Sequence, residues 1–178
     1  MIRAIGNIGW PRHQKKDSKP WLSCGGNILK SVKKLNRDFK EFLALLLEEK
    51  VEFLLVGGYA VAFHGYPRFT GDMDILVGND PGNAAKILLV LQKFGFGKPS
   101  ISQSDLQTKG NVIQLGFPPV RIDLITSLDG VTNEEVFSDR IRAEFYGLSV
   151  PMISKPHLLQ NKRATGRPRD LLDLENLQ

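Results

Sequence analysis

The most informative part of the chain is residues 53–74, which read FLLVGGYAVAFHGYPRFTGDMD. This segment begins inside a short and almost wholly apolar run, residues 51–56, which predicts a buried β-strand. A glycine pair, Gly57 and Gly58, then turns the chain into a predicted short helix. The segment ends on the first residues of a second predicted strand, at 72–77. Strand, turn, helix and strand in close succession are typical of a domain that mixes α and β structure.

The rest of the chain continues this pattern in both directions. Upstream, apolar residues at helical spacing predict a helix that ends near Lys50. Downstream, Asp80 is predicted to cap a helix with Pro81 at its first position. Further strands are predicted at residues 111–117, 120–125 and 141–146, and further helices at 133–138, 155–164 and 168–176. We therefore expect an α/β or α+β fold, in which helices flank a small mixed β-sheet and two helices finish the chain.

Composition indicates an ordinary globular protein. Of its 178 residues, 42% are hydrophobic and 24% are charged, and no apolar run approaches the ~18 residues of a membrane span. The single cysteine, Cys24, has no partner within the chain for a disulfide, which favours a reducing compartment. We expect a cytoplasmic domain that does not associate with membranes.

The net positive charge of the protein comes from the beginning of the chain. Residues 1–40 carry a balance of +8, whereas residues 41–178 carry −3. We expect residues 1–31 to form a basic, poorly ordered N-terminal extension, and residues 32–178 to form the domain. The alternative for the extension is an arm that binds nucleic acid through its basic side chains.

Two acidic side chains begin the second strand of the segment. Side chains alternate between the faces of a strand, so Asp72 and Asp74 point the same way while Met73 points to the other face. Two carboxylates on one face repel each other, and a divalent cation such as Mg²⁺ relieves that repulsion. The alternative is a pair of solvent-facing aspartates on an edge strand.

A third acid, Asp123, interrupts the apolar run of residues 120–125. A charge among residues that favour burial needs a partner. If this strand lies beside the strand of Asp72 and Asp74, the three carboxylates converge and can hold two cations. The alternative is that Asp123 pairs with Arg121 or with another surface group.

The glycine pair is open to two interpretations. Gly57 and Gly58 leave room for a phosphate group to approach the backbone at the start of a helix. Glycine pairs also occur in turns that bind nothing, so the pair by itself does not predict phosphate binding.

Together these motifs resemble the nucleotidyltransferase superfamily that includes DNA polymerase beta. Its signature is a hydrophobic residue and two small residues, then Asp-x-Asp between hydrophobic residues, and later a third aspartate. Here thirteen residues separate Gly58 from Asp72. Residues 53–74, and the ending NKRATGRPRDLLDLE at residues 161–175, are most similar to the AbiEii-type and related minimal nucleotidyltransferases of bacterial toxin–antitoxin systems. The resemblance covers about residues 35–178 and implies the nucleotidyltransferase fold.

The resemblance also implies roles for individual residues. Asp72, Asp74 and Asp123 would bind two Mg²⁺ ions, with Mn²⁺ as an alternative, and Asp123 would help to deprotonate the acceptor. The residues expected to bind the nucleotide are Gly57, Gly58, Arg68, Thr70 and Lys162. Tyr59 departs from the superfamily pattern, which often has serine after the glycines. A packed or exposed His64 is favoured over a catalytic one.

The activity implied is metal-dependent transfer of a nucleoside monophosphate from an NTP, with ATP the expected donor. The acceptor hydroxyl would belong to an RNA, such as a tRNA, in a toxin, or to a partner protein in an antitoxin. The alternative is a module that keeps the fold, binds a partner and catalyses nothing.

Overall fold

The computed structural model describes residues 3–10, 37–97, 100–118 and 120–177, with side chains described from Ile8 onward. The described strands are β1 (Arg3–Ile8), β2 (Phe53–Leu55), β3 (Asp72–Val77), β4 (Asn111–Phe117), β5 (Val120–Ile125), β6 (Ile141–Phe145) and β7 (Leu148–Met152). The described helices are α1 (Arg37–Glu48), α2 (Gly57–Phe63), α3 (Pro81–Leu91), α4 (Gln103–Gln107), α5 (Asn133–Ser138), α6 (Lys155–Thr165) and α7 (Pro168–Leu177). One wide π-helical turn, Gln92–Phe96, extends α3.

The seven described strands form one mixed sheet in the order β1-β4-β5-β3-β2-β7-β6. Strand β3 lies parallel to β5 and antiparallel to β2, and β4 lies antiparallel to β5. Helices flank this sheet, and α6 and α7 finish the described chain. The predicted fold class, a small mixed β-sheet with flanking and C-terminal helices, is confirmed.

Apolar residues at the predicted spacing build the core. Helix α1 buries Phe39, Phe42, Leu43 and Leu46, since these positions form one stripe along the helix. The middle of β3 is also covered, with Ile75 and Leu76 fully buried. Because the centre of the sheet is fixed by this packing, the side chains at the start of β3 are held in a defined position.

Helix α3 begins as the sequence predicts. Asp80 caps it by accepting a hydrogen bond from the backbone N–H of Asn83 at 3.0 Å, and Pro81 stands in its first turn. Asn83 in turn links α3 to the sheet, because its side chain bonds the backbone of both Glu52 and Gly78. Burial of this satisfied amide ties the end of β3 to the beginning of β2.

The first strand was not expected. Residues 1–31 were predicted to lie outside the domain, whereas Arg3–Ile8 forms β1, which pairs in parallel with β4 at the edge of the sheet. Trp10 follows it and packs on Phe94, with the ring centroids 5.7 Å apart, and its indole N–H donates to the carbonyl of Val120 at 3.1 Å. The rest of the predicted extension lies outside the described residues.

Two short elements were also missed. Strand β7 contains Pro151, which lacks a backbone N–H, and it pairs in register with β2 at one position, Leu55 with Met152. Helix α4 has only five residues, begun by a capping box between Ser102 and Asp105. No described helix has the length and apolar character needed to cross a membrane.

Candidate active site

The three predicted acids meet on neighbouring strands. Strands β3 and β5 run parallel, with Asp72 opposite Arg121 and Asp74 opposite Asp123. Because side chains alternate along each strand, these four residues share one face. The intervening residues Met73 and Ile122 lie on the other face and are fully buried. The register therefore places three carboxylates and one guanidinium side by side, as the sequence predicted for the carboxylates.

The acids differ in their surroundings. The side chain of Asp72 is 38% exposed, whereas that of Asp123 is 9% exposed. Burial, and then the negative charges of Asp123 and Asp72, raise the pKa of Asp74 to about 6. Burial also raises the pKa of Asp123, although its bonds to Arg121 act in the opposite direction. The site thus concentrates negative charge where water is partly excluded.

Arg121 is the partner of two of these acids. Its Nε donates to Asp123 Oδ1 at 2.6 Å, and one Nη donates both to Asp123 Oδ2 at 2.9 Å and to Asp72 Oδ2 at 2.8 Å. The pair of Asp123 with Arg121, which was the alternative interpretation of the sequence, is therefore present within the acid cluster. Arg121 stands two residues before Asp123, so both side chains point to the same face.

The oxygen atoms of the acid cluster could serve as ligands for a divalent cation. No group of three or more His, Cys, Asp or Glu in the described parts of the chain has a geometry that already encloses a metal. Two carboxylates nevertheless offer hard oxygen ligands, since Asp74 has no ion pair among the described residues and Arg121 bonds only one oxygen of Asp72. Asp72 and Asp74 therefore fit one Mg²⁺ or Mn²⁺ ion.

Both glycines lie too close to neighbouring side chains to be replaced by a larger residue. Gly57 has a φ of +61°, and a Cβ built on it would lie 1.9 Å from Asp74 Oδ2. A Cβ on Gly58 would lie 2.8 Å from the Cβ of Thr70. The backbone N–H of Gly58 bonds the carboxylate of Asp74, which lowers the pKa of that acid. The pair thus brings the start of α2 against Asp74, and its role in phosphate binding stays a prediction.

Three other residues predicted to bind the nucleotide are engaged within the protein. Thr70 donates its hydroxyl to the carbonyl of Asp72 at 3.1 Å. Arg68 bonds both carboxylate oxygens of Asp173, at 2.6 and 2.9 Å. Lys162 is buried and pairs with Asp170 and with Asp173, the latter at 2.9 Å. In this conformation the side chains of Arg68 and Lys162 brace the helix hairpin α6–α7 and do not point freely into the site.

Lys162 still influences the acids through its charge. It lowers the pKa of Asp74, although less strongly than burial and the neighbouring carboxylates raise it. Lys162 thus lies close enough to the acid cluster for its charge to act there, as a residue that serves the triphosphate would need to. Direct contact with a nucleotide stays a prediction.

Tyr59 packs among other aromatic side chains, which the sequence did not predict. Its ring packs edge-on against Phe39 and Phe145, with centroid distances of 6.2 and 5.4 Å. Burial, and then the charges of Tyr146, Asp72 and Asp74, raise the pKa of Tyr59, so its phenol stays neutral.

His64 has a structural contact, because its Nε2 lies 2.9 Å from the carbonyl oxygen of Ile153.

The fold has counterparts among solved structures. The crystal structure of a proposed nucleotidyltransferase from Thermotoga maritima superposes with a TM-score of 0.55 at 18% identity, over 78% of this chain and 89% of that one. A lincosamide antibiotic adenylyltransferase bound to lincomycin gives a TM-score of 0.48 at 15% identity, over 80% of this chain and 96% of that one. The antibiotic-resistance factor ANT(2'')-Ia gives 0.48 at 10% identity, over 85% and 84%.

Comparisons at the level of sequence add no family. No family model matches the chain, and no curated protein matches it significantly. The likeness to the Thermotoga maritima structure confirms the nucleotidyltransferase fold and, at this identity, nothing beyond the fold.

Proposed function

We propose that this protein is a metal-dependent nucleotidyltransferase, which transfers the nucleoside monophosphate of an NTP, with ATP the expected donor, to a hydroxyl group. The observation that carries the proposal is the register of β3 and β5, which sets Asp74 directly opposite Asp123 with Asp72 on the same face. The nucleotidyltransferase fold is consistent with it. A fold by itself does not define an activity, so the acid cluster is the deciding feature.

Asp72 and Asp74 are the residues that would hold the divalent cation, which, when bound, neutralises charge on the triphosphate oxygens. Asp74 is suited to this because its charge lies near two other carboxylates and would be stabilised by a cation. Gly57 allows the start of α2 to lie against Asp74, so this carboxylate stays in place. These residues orient the donor, and positioning of this kind provides much of the catalysis in phosphoryl-type transfer.

The transfer itself forms a bond between the acceptor oxygen and the α-phosphorus, and it breaks the bond between that phosphorus and the departing pyrophosphate. The acceptor hydroxyl must lose a proton. Asp123 is the proposed recipient, because burial raises the pKa of its carboxyl and it lies beside the two other acids. The predicted triphosphate contacts of Gly58, Arg68, Thr70 and Lys162 belong to this proposal.

The proposed acceptor is an RNA, with a tRNA end as the first candidate, or a protein hydroxyl in a bacterial toxin–antitoxin pair. The balance of −3 over residues 41–178 favours a protein over broad binding of RNA. The competing proposal is a partner-binding module without catalysis. It is favoured by one observation, the pairing of Arg121 with two of the three acids.

Labelled transfer tests the proposal. The full chain would be incubated with Mg²⁺, each α-labelled NTP, and either total tRNA or candidate partner proteins. We expect label on one acceptor class, reduced about a hundredfold or more in Asp74→Asn. Asp129→Asn is the matched control, because Asp129 is an exposed aspartate that belongs to neither β3 nor β5. Undiminished labelling in an Asp72→Asn/Asp74→Asn double variant would contradict the roles of the acids.

Calorimetry distinguishes the enzyme from the partner-binding module without catalysis. An active enzyme should bind Mg²⁺ together with a non-hydrolysable ATP analogue, and Asp74→Asn should lose that binding. Failure to bind any nucleotide, together with tight binding of one protein, would support the module without catalysis.

A further inference from the structure

The acid cluster contains a cation of its own. Arg121 makes three hydrogen bonds to carboxylate oxygens, two to Asp123 and one to Asp72. Its side chain is only 21% exposed and that of Asp123 only 9%. A bidentate pair between an arginine and a carboxylate is stronger and more directional than a single hydrogen bond between neutral groups. The contact is therefore part of the architecture of the site, and it involves Asp123, one of the three acids that were expected to bind metal.

We propose that Arg121 takes the place of a second metal ion, so that the site binds a single divalent cation at Asp72 and Asp74, and Asp123 is not a ligand. This inference rests on the proposed nucleotidyltransferase function and refines its site. Two ions were expected from the sequence. The bonds of Arg121 to both oxygens of Asp123 do not fit that expectation.

Charge supports one ion over two before any nucleotide binds. Three carboxylates and one guanidinium leave two negative charges, which one divalent cation neutralises. A second divalent ion at Asp123 would give the cluster a net positive charge and would compete with Arg121 for the Asp123 oxygens. A like charge so close to a bound cation is unfavourable where water is partly excluded.

The cost of removing Arg121 from its place points the same way. To use Asp123 as a ligand, a second ion would have to break the bidentate pair and leave a mostly buried guanidinium with only its single bond to Asp72. Weakening a mostly buried ion pair is unfavourable, because the charge that remains is poorly solvated and only partly compensated. Arginine also keeps its charge at every physiological pH, so this cation is permanent.

The register explains why Arg121 and one metal ion can coexist. Arg121 lies opposite Asp72, and Asp123 lies opposite Asp74, so the guanidinium spans from its own strand to the first acid of β3. It takes one oxygen of Asp72, and no ion pair to Asp74 is present among the described residues. One Asp72 oxygen and the Asp74 carboxylate therefore stay available to one cation.

Binding of Mn²⁺ to the full chain tests this inference without measuring activity. Titration followed by electron paramagnetic resonance and calorimetry should give one ion per chain for the unmodified protein. Asp74→Asn should weaken binding at least about tenfold. Asp123→Asn should keep one ion with an affinity within about threefold. Arg121→Gln should bind two ions, whereas Arg121→Lys, which keeps the charge, should bind one.

The outcomes separate the two proposals. Two ions in the unmodified protein, or a loss of at least tenfold in Asp123→Asn, would overturn the role of Arg121 and leave the proposed function intact. A count of one ion in a folded Arg121→Gln would overturn it as well. If Arg121→Gln does not fold, Asp123→Asn still decides. If neither the unmodified protein nor Asp74→Asn binds an ion, the proposed metal site itself is overturned.

Discussion

Gly57 shows how one residue couples the backbone of a helix to the chemistry of a neighbouring strand. Its φ of +61° lies in the left-handed region, and the space that a side chain would need is filled by the carboxylate of Asp74. The same position that the sequence suggested for phosphate thus first serves to accommodate an acid.

Replacement of Gly57 by alanine should therefore displace Asp74. We expect a loss of stability of about 1–2 kcal/mol from the left-handed backbone alone, with a further loss from the contact. Mn²⁺ affinity should fall at least about tenfold. Gly166→Ala is the control, because its φ is +59° and its added Cβ would meet nothing closer than 3.9 Å. Equal Mn²⁺ affinity in the two variants would contradict the coupling to Asp74.

The pKa of Asp74 makes a prediction about pH. In the folded chain its pKa is about 6, against 3.8 for the ordinary carboxyl, so between these values the folded state holds a proton that the unfolded state has released. The metal-free protein should lose on the order of 2 kcal/mol of unfolding free energy from this group as the pH rises from 4 to 7. Comparison of denaturant unfolding in the unmodified chain and in Asp74→Asn isolates this contribution. An identical pH dependence in the two proteins would contradict it.

At the scale of elements, the hairpin of α6 and α7 is joined to the loop before β3 by buried charges. Asp173 of α7 is fully buried and bonds Arg68 of the loop, while Lys162 of α6 lies between Asp170 and Asp173. Burial alone would raise the pKa of Asp173, but the hydrogen bonds from Arg68 and Lys162 hold it below its ordinary value. These contacts hold the loop that leads into Asp72 against α7.

Asp173→Asn should loosen this junction. Two buried cations would lose a partner, and we expect unfolding free energy to fall by about 3–5 kcal/mol at neutral pH. Because the pKa of Asp173 is lowered on folding, its contribution is present above the ordinary aspartate range and is lost as the pH falls through the folded-state value. The variant should therefore differ most from the unmodified chain near pH 7 and least in acid.

Glu175→Gln serves as the control for that experiment, since Glu175 is exposed on the same helix. It should change stability by less than about 0.5 kcal/mol. A loss in Asp173→Asn no larger than in Glu175→Gln would show that the buried pairs do not stabilise the junction.

At the scale of the whole molecule, the chain end closes one edge of the sheet. Strand β1 covers β4, and Trp10 packs over Gly116, where an added Cβ would lie 2.1 Å from the indole nitrogen. The indole also contacts Phe94 and Phe96 at the end of α3. The N-terminal segment thus joins the sheet to a helix that is distant in sequence.

Trp10→Ala should therefore destabilise the folded chain by about 2–3 kcal/mol, because a half-buried indole and its contacts are lost. Trp10→Phe keeps an aromatic ring but loses the hydrogen bond to Val120, and it should cost only about 1 kcal/mol. Thermal unfolding of both variants measures the difference. Unchanged stability in Trp10→Ala would show that the contacts of Trp10 do not stabilise the domain, as expected for a dispensable N-terminal extension.

Much of the architecture was accessible from local patterns. Apolar periodicity predicted α1 and the central strands, and Asp80 with Pro81 predicted the start of α3, because these signals act over a few residues. Strand β1 was missed because its partner, β4, is about a hundred residues away along the chain, and a basic segment carries little local sign of pairing.

What the sequence determined by itself was the identity of the acids and the face that Asp72 shares with Asp74, since alternation along one strand is a local property. Only the tertiary structure decided that Asp123 stands opposite Asp74, that Arg121 bonds two of the acids, and that Lys162 and Arg68 are held by α7. Strand register and ion pairing between distant segments depend on how the whole sheet packs, and no pattern within a single segment encodes them.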